Sequence, residues 1–223
     1  MLGGPREHPY SLVLLLIIAS IGVSGIAPDH GWPQVLLIVL EGATLVTALY
    51  ASKASRRRIE IVAGLVGVVA LGALVALLTG GLEVAASRIV GALMVGIAPI
   101  AIVRGTARRL RTERVITLDT VFGVLCIYLL LGLFFSYVYG AVDRISTTNL
   151  LQGGDTGTDF LFFSYTTLTT VGYGDLVPAT DLGDTLAIFE MLFGQIYLVT
   201  IVSLIVGNLG RGRPARGGGE PTP

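Results

Sequence analysis

The stretch Thr169-Thr170-Val171-Gly172-Tyr173-Gly174-Asp175 decides how the rest of the chain is read. Glycine alternates there with Val and Tyr, and glycine takes positive φ about as readily as negative. Such a backbone can pass through left-handed and right-handed conformations in turn and aim successive carbonyl oxygens the same way. Oxygens so placed can replace the water shell of a dehydrated monovalent cation. The alternative is a Gly-rich turn in an extracellular loop. The flanks favour the first reading: a polar-aromatic run from Asp159 to Leu168 precedes the stretch, and a long apolar segment from Asp184 follows it.

Of the 223 residues, 53% are hydrophobic and 13% charged, with mean hydropathy +0.80. A soluble domain carries about twice that charged fraction, so the chain reads as an integral membrane protein. A bilayer core asks for about 20 apolar residues per helix. Six segments meet that length: Tyr10–Ala27, Gln34–Ala51, Ile59–Thr79, Leu82–Val103, Val115–Gly140 and Asp184–Asn208. The run Thr158–Thr169 is too short to span and leads directly into the glycine stretch. It reads as a re-entrant helix, tolerated at membrane depth only where protein surrounds it.

Basic residues set the orientation. With the N-terminus inside, thirteen of the fifteen Lys and Arg fall on the inner side, and only Arg88 and Arg144 on the outer half. Both termini are then cytoplasmic, the membrane is the plasma membrane, and the glycine stretch faces outward. The lone Cys126 excludes an intrachain disulfide and a Cys-based metal site. His8 and His30 are isolated, and no clustered His, Cys and Asp set suggests an enzyme. No cofactor and no nucleic-acid partner are expected.

Thr170-Val171-Gly172-Tyr173-Gly174, followed by Asp175, resembles the selectivity-filter signature of the potassium-channel family. The resemblance is specific over roughly Thr158 to Asn208 and only architectural over Met1 to Arg114. It implies an all-α membrane fold: six transmembrane helices plus a re-entrant pore helix and filter loop. Residues 1–114 would form a four-helix domain similar to a voltage sensor but lacking its gating arginines. Residues 115–210 would form the pore domain, with outer helix, pore helix, filter and inner helix, and 211–223 a disordered cytosolic tail. The carbonyls of Thr170, Val171, Gly172 and Tyr173 would hold K+, with Gly174 turning the chain outward and Asp175 adding charge at the mouth. One chain supplies one filter strand where the family needs four, so a homotetramer is implied.

Other positions carry the resemblance or depart from it. Phe160, Phe162, Phe163 and Tyr165 match the aromatic cuff around the filter, or simply core packing; the family usually has Trp where Phe162 and Phe163 stand. Some relatives brace the mouth Asp with a pore-helix Glu, and Thr166 occupies that position here. Thr158 and Asp159 read as the start of the pore helix, where a hydroxyl or carboxylate caps free amides. Asp155, Asp159, Asp175, Asp181 and Asp184 read as an acidic vestibule that concentrates cations, or as a solvated loop. Gly194 matches the hinge of the inner helix, although a mid-helix Gly also permits close packing. Gln195 would face the cavity below the filter. Glu190 must face protein or water rather than lipid, and is expected to bond Ser164, Thr166 or Thr167 behind the filter.

The fourth segment decides the gating class. A sensor needs a basic residue at every third position, each worth about 2.3 kcal/mol per 100 mV. Between Leu82 and Val103 there is only Arg88. Arg104, Arg108, Arg109, Arg111 and Arg114 read as an inner linker against anionic lipid headgroups. Glu41 and Arg88 fall at similar depth and are expected to pair, with separate water-facing roles as the alternative. Small residues in the third segment, including Gly64, Gly67 and Gly72, suit close helix packing. The expectation is a potassium-selective channel subunit, weakly or not voltage-dependent. Its alternatives are a voltage-gated channel and a non-conducting regulatory subunit.

Overall fold

The computed structural model describes residues 9–26, 32–79, 84–113 and 118–203, with the side chains of 9, 77, 79, 84–88, 105–113 and 202 set aside. The elements in order are α1 (Pro9–Ile26), α2 (Trp32–Ala51), α3 (Arg56–Thr79), α4 (Val84–Glu113), α5 (Leu118–Ile145), β1 (Leu151–Gln152), α6 (Gly157–Leu168), β2 (Val177–Pro178) and α7 (Asp181–Tyr197). A π-helical turn, Leu198–Val202, continues α7. Among the described residues four helices are long and apolar enough to cross a membrane: Trp32–Ala51, Arg56–Ala76, Leu118–Ile145 and Asp181–Ile201. Tyr10–Ile26 and Ile89–Arg104 are shorter apolar helices, so six crossings do not follow from length and composition alone.

α5 is the element on which the others assemble. One core joins Val13 and Ile17 of α1, Leu45 and Ala48 of α2, Val95 and Ile102 of α4, and Leu130 and Leu133 of α5. A second, towards the other end of α5, joins Phe135 and Tyr139 to Phe160 and Phe163 of α6 and Ala187 of α7. Apolar burial drives little association where the solvent is lipid, so close packing and interhelical hydrogen bonds hold such a bundle. Asp119 at the start of α5 illustrates the bonds. Its buried carboxylate accepts from the Tyr10 amide at 3.2 Å and so satisfies a donor in the first turn of α1.

Several expectations change once helices are placed. The glycines of α3 do not mediate its packing, since a methyl added at Gly64, Gly67 or Gly72 would meet nothing within 4 Å, whereas Ala73 is buried in a cluster with Ile38 of α2 and Met94 of α4. The close approach is at Gly42 of α2, where a methyl would stand 2.2 Å from Val66 Cγ1. The arginine-rich run of the inner linker is helical as far as Glu113, where α4 ends. Side chains from 105 to 113, all of Arg114 and the tail 211–223 lie outside the described residues. α5 continues five residues past Gly140, which shortens the outer loop. That loop is tied down by β1, which pairs antiparallel with β2 in the register Leu151↔Pro178 and Gln152↔Val177.

Candidate functional site

The short helix α6 begins one residue earlier than its composition suggested. Thr156 is the N-cap, accepting from the Asp159 amide at 3.2 Å, while Asp159 accepts from the Thr156 amide at 3.0 Å. This reciprocal arrangement satisfies two free amides. Asp159 therefore caps the start of α6. Thr158 does not cap α6; its hydroxyl donates instead to the Ser24 and Gly25 carbonyls in the last turn of α1, at 3.4 and 3.5 Å. Asp175, Asp181 and Asp184 are exposed, the last two in the first turn of α7, where negative charge is favoured.

Three hydroxyls fasten α6 to α5. Tyr165 donates to the Leu129 carbonyl at 2.7 Å, and Tyr128 to the Leu168 carbonyl at 3.0 Å. Ser164 Oγ lies 2.7 Å from the Gly132 carbonyl oxygen. Gly132 has to be glycine for the helices to come this close, since a methyl there would stand 2.8 Å from the Tyr165 ring. On the other flank, Gly194 of α7 packs against Leu168, and a methyl would stand 2.6 Å from Leu168 Cδ1. Close packing is thus a sufficient reason for glycine at 194. Four residues further on, the π-helical turn interrupts the regular α-helix that the unbroken apolar run suggested. Such turns recur at functional sites. Thr200 Oγ1 donates to the Ile196 carbonyl at 2.5 Å within it.

The glycine stretch folds back onto the end of α6. The amides of Val171 and Gly172 both donate to the Thr166 carbonyl, at 2.8 and 3.1 Å, and the Thr170 amide donates to Thr167 at 3.0 Å. Backbone handedness alternates along it: φ is +60° at Thr170, +50° at Gly172 and +81° at Gly174, with Val171 and Tyr173 outside the positive region. Positive φ at β-branched Thr170 costs about 1–3 kcal/mol. Gly172 and Gly174 have open space where a side chain would go, so conformation, not room, requires glycine. Val171, Tyr173, Gly174 and Asp175 are all exposed on the single chain. Tyr173 stacks on Phe162, with ring centroids 5.8 Å apart and planes 9° from parallel. Phe163 points the other way, into the core against Tyr139.

Behind α6 sits Glu190, fully buried within one chain. Its Oε2 accepts from the Tyr139 hydroxyl at 2.6 Å, and its Oε1 lies 2.5 Å from Ser164 Oγ. Of the three hydroxyls considered from sequence it meets Ser164. Thr166 instead bonds the Phe163 carbonyl. Tyr139 had no signal in the sequence beyond its place in an apolar run. Gln195 is exposed, adjacent to buried Gly194.

Glu41 is also buried, and Tyr137 of α5 donates to its Oε1. Its Oε2 has no partner among the described residues and lines a small cavity with Ser20 and Thr44. The side chain of Arg88, the expected partner, lies outside the described residues. No group of three or more metal-ligating side chains occurs among the described residues.

Residues 123–210 match the family described as ion channel. The chain is 40% identical over 80 residues to two pore potassium channel b of Oryza sativa subsp. japonica, covering 36% of this chain and 21% of that protein. It is 32% identical over 102 residues to a voltage-gated potassium channel of Aeropyrum pernix, covering 46% and 31%. An inward rectifier potassium channel of Paramagnetospirillum magnetotacticum is 43% identical over 54 residues, covering 24% and 18%. The matches therefore span less than a third of each relative's own length.

Proposed function

We propose, from the match of residues 123–210 to the ion-channel family, that the chain is a pore subunit conducting K+ passively across the plasma membrane. The observation that carries the proposal is the alternation of positive φ at Thr170, Gly172 and Gly174 on a strand anchored to the end of α6. An alternation of this kind can aim the carbonyls of Thr170, Val171, Gly172 and Tyr173 toward one side, where in this reading they replace the hydration shell of the ion. Exposure of Val171 and Tyr173, beside the exposed apolar face of α7 with Phe189, Phe193 and Ile196, supports assembly around a shared axis. Four copies complete the filter. Asp175 lies at the mouth, and Gln195 faces the cavity beneath.

In this reading α1 to α5 and α7 cross the membrane, with α6 and the filter re-entrant and both termini cytoplasmic. The named relatives include two-pore, voltage-gated and inward-rectifier channels, so their shared region supports the pore rather than one mode of gating. Arg88 alone in the apolar part of α4 supports weak voltage dependence. A groove between α2, α3 and α4, lined by Leu49, Ile61, Ile97 and Ile100 with Arg58 and Arg104, supports anionic lipid at the inner surface.

The test is purified protein in planar bilayers with K+ on one side and Na+ on the other. A reversal potential near the K+ limit is expected, with a current that varies gently along a voltage ramp. A reversal potential near zero would refute K+ selectivity, and a steep sigmoid would refute weak voltage dependence.

A further inference from the structure

Three oxygen–oxygen contacts converge on Ser164 and Glu190. Tyr139 Oη lies 2.6 Å from Glu190 Oε2, Glu190 Oε1 lies 2.5 Å from Ser164 Oγ, and Ser164 Oγ lies 2.7 Å from the Gly132 carbonyl oxygen. All are at O–H···O distances, and each needs a proton on its line. The two hydroxyls supply one proton each, while a carbonyl and an ionised carboxylate supply none. With Glu190 ionised, one contact would set lone pair against lone pair. We infer that Glu190 carries a proton, and that this proton closes a continuous chain from α7 through α6 to α5.

The directions then follow. Tyr139 donates to Glu190 Oε2, the Glu190 Oε1–H donates to Ser164 Oγ, and Ser164 donates to the Gly132 carbonyl. Each proton has one acceptor, and none of the three side chains is left with an unmade bond. The setting supports the assignment, because Glu190, Ser164 and Tyr139 are each fully buried within a single chain. Neighbouring copies therefore add no charge at contact. The titratable groups facing Glu190 are Tyr128 and Tyr139 from α5 and Tyr165 from α6, and no basic side chain among the described residues reaches it.

The proton makes Glu190 a positioning residue. Ser164 stands one turn before the Leu168 end of α6, whose carbonyls hold the filter amides. Loss of the proton turns the Ser164 contact with either Glu190 or Gly132 repulsive and loosens α6 from the helices behind it. This consequence rests on the channel reading; the proton itself does not.

The proton is tested without any current, by infrared difference spectroscopy of the full chain in bilayers at neutral pH. Wild type minus Glu190→Gln is expected to show one lost carboxylic-acid C=O band and no lost carboxylate band. Loss of a carboxylate band with the acid region unchanged overturns the inference. Should E190Q fail to fold, Tyr139→Phe serves. An acid C=O band shifted by the missing donor supports the proton, and an unmoved acid band or a shifted carboxylate band overturns it. In bilayers, wild-type current is expected to fall as pH rises and E190Q to lose that fall. An identical pH profile in E190Q overturns the positioning role while leaving K+ selectivity, measured in the same traces, as the separate test of the channel.

Discussion

Replacing Gly132 by Ala probes the packing that seats α6 against α5. The added methyl would stand 2.8 Å from Tyr165 Cε1 and 2.9 Å from Cζ. Carbon atoms rest at about 3.5–4.0 Å, so ring or helix must move by roughly 0.7 Å or more. The ring is poorly placed to yield, because its hydroxyl is held by the Leu129 carbonyl at 2.7 Å. Overpacking costs about 1–3 kcal/mol, and a displaced hydrogen bond adds about 1 kcal/mol. Alanine recovers about 1 kcal/mol in helix propensity. The net expectation is a loss of roughly 1–3 kcal/mol. The assay is the thermal unfolding midpoint of detergent-purified protein, with Gly64→Ala as the control. That methyl meets nothing within 4 Å, so G64A is expected to match wild type or exceed it by up to about 1 kcal/mol. In a Tyr165→Leu background, where the ring is gone, G132A should lose most of its effect. An unchanged or raised midpoint for G132A, or an equal shift in both backgrounds, would show that the ring contact does not set this packing.

Four further outcomes are expected. Gly172→Ala and Gly174→Ala should each abolish K+ selectivity while the protein still folds, because the strain lies in φ and no atom blocks the side chain; bi-ionic reversal potentials decide it, and wild-type selectivity in either variant would contradict the alternating backbone. Tyr137→Phe should lower the yield of folded protein by the cost of an unbonded buried carboxyl, about 1–3 kcal/mol. Glu41→Gln and Arg88→Gln together should cost less than the sum of the single changes if the two side chains pair, and additive yields would separate them. Arg58→Gln with Arg104→Gln should reduce the anionic lipid that copurifies with the protein, read by mass spectrometry of the extract, and undiminished lipid would remove the groove as its site.

The parts legible from sequence are those written in composition and in contiguous residues. The membrane class follows from the scarcity of charge, and the short helix α6 from a polar-aromatic run, too short to span, before a glycine stretch. The alternation of backbone handedness was readable at Gly172 and Gly174 because positive φ is a property of the residue itself. Thr170 was not readable in this way, since a β-branched residue at φ +60° is held there by its surroundings. The N-cap was displaced by two residues because Thr156, Thr158 and Asp159 all carry capping groups, and only the helix start chooses among them.

Tertiary structure decided everything that depends on the relative rotation of two helices. Ser164, Thr166 and Thr167 are near neighbours in sequence, yet one of them faces Glu190, and Tyr139 meets it from 51 residues away. Glycines in α3 looked like packing residues and face open space, while Gly42, Gly132 and Gly194 carry the close contacts. The physical reason is that sequence specifies the phase of residues around one helix. Which face meets which partner is set by the joint packing of α5, α6 and α7, and the proton on Glu190 becomes countable only when their oxygens are brought together.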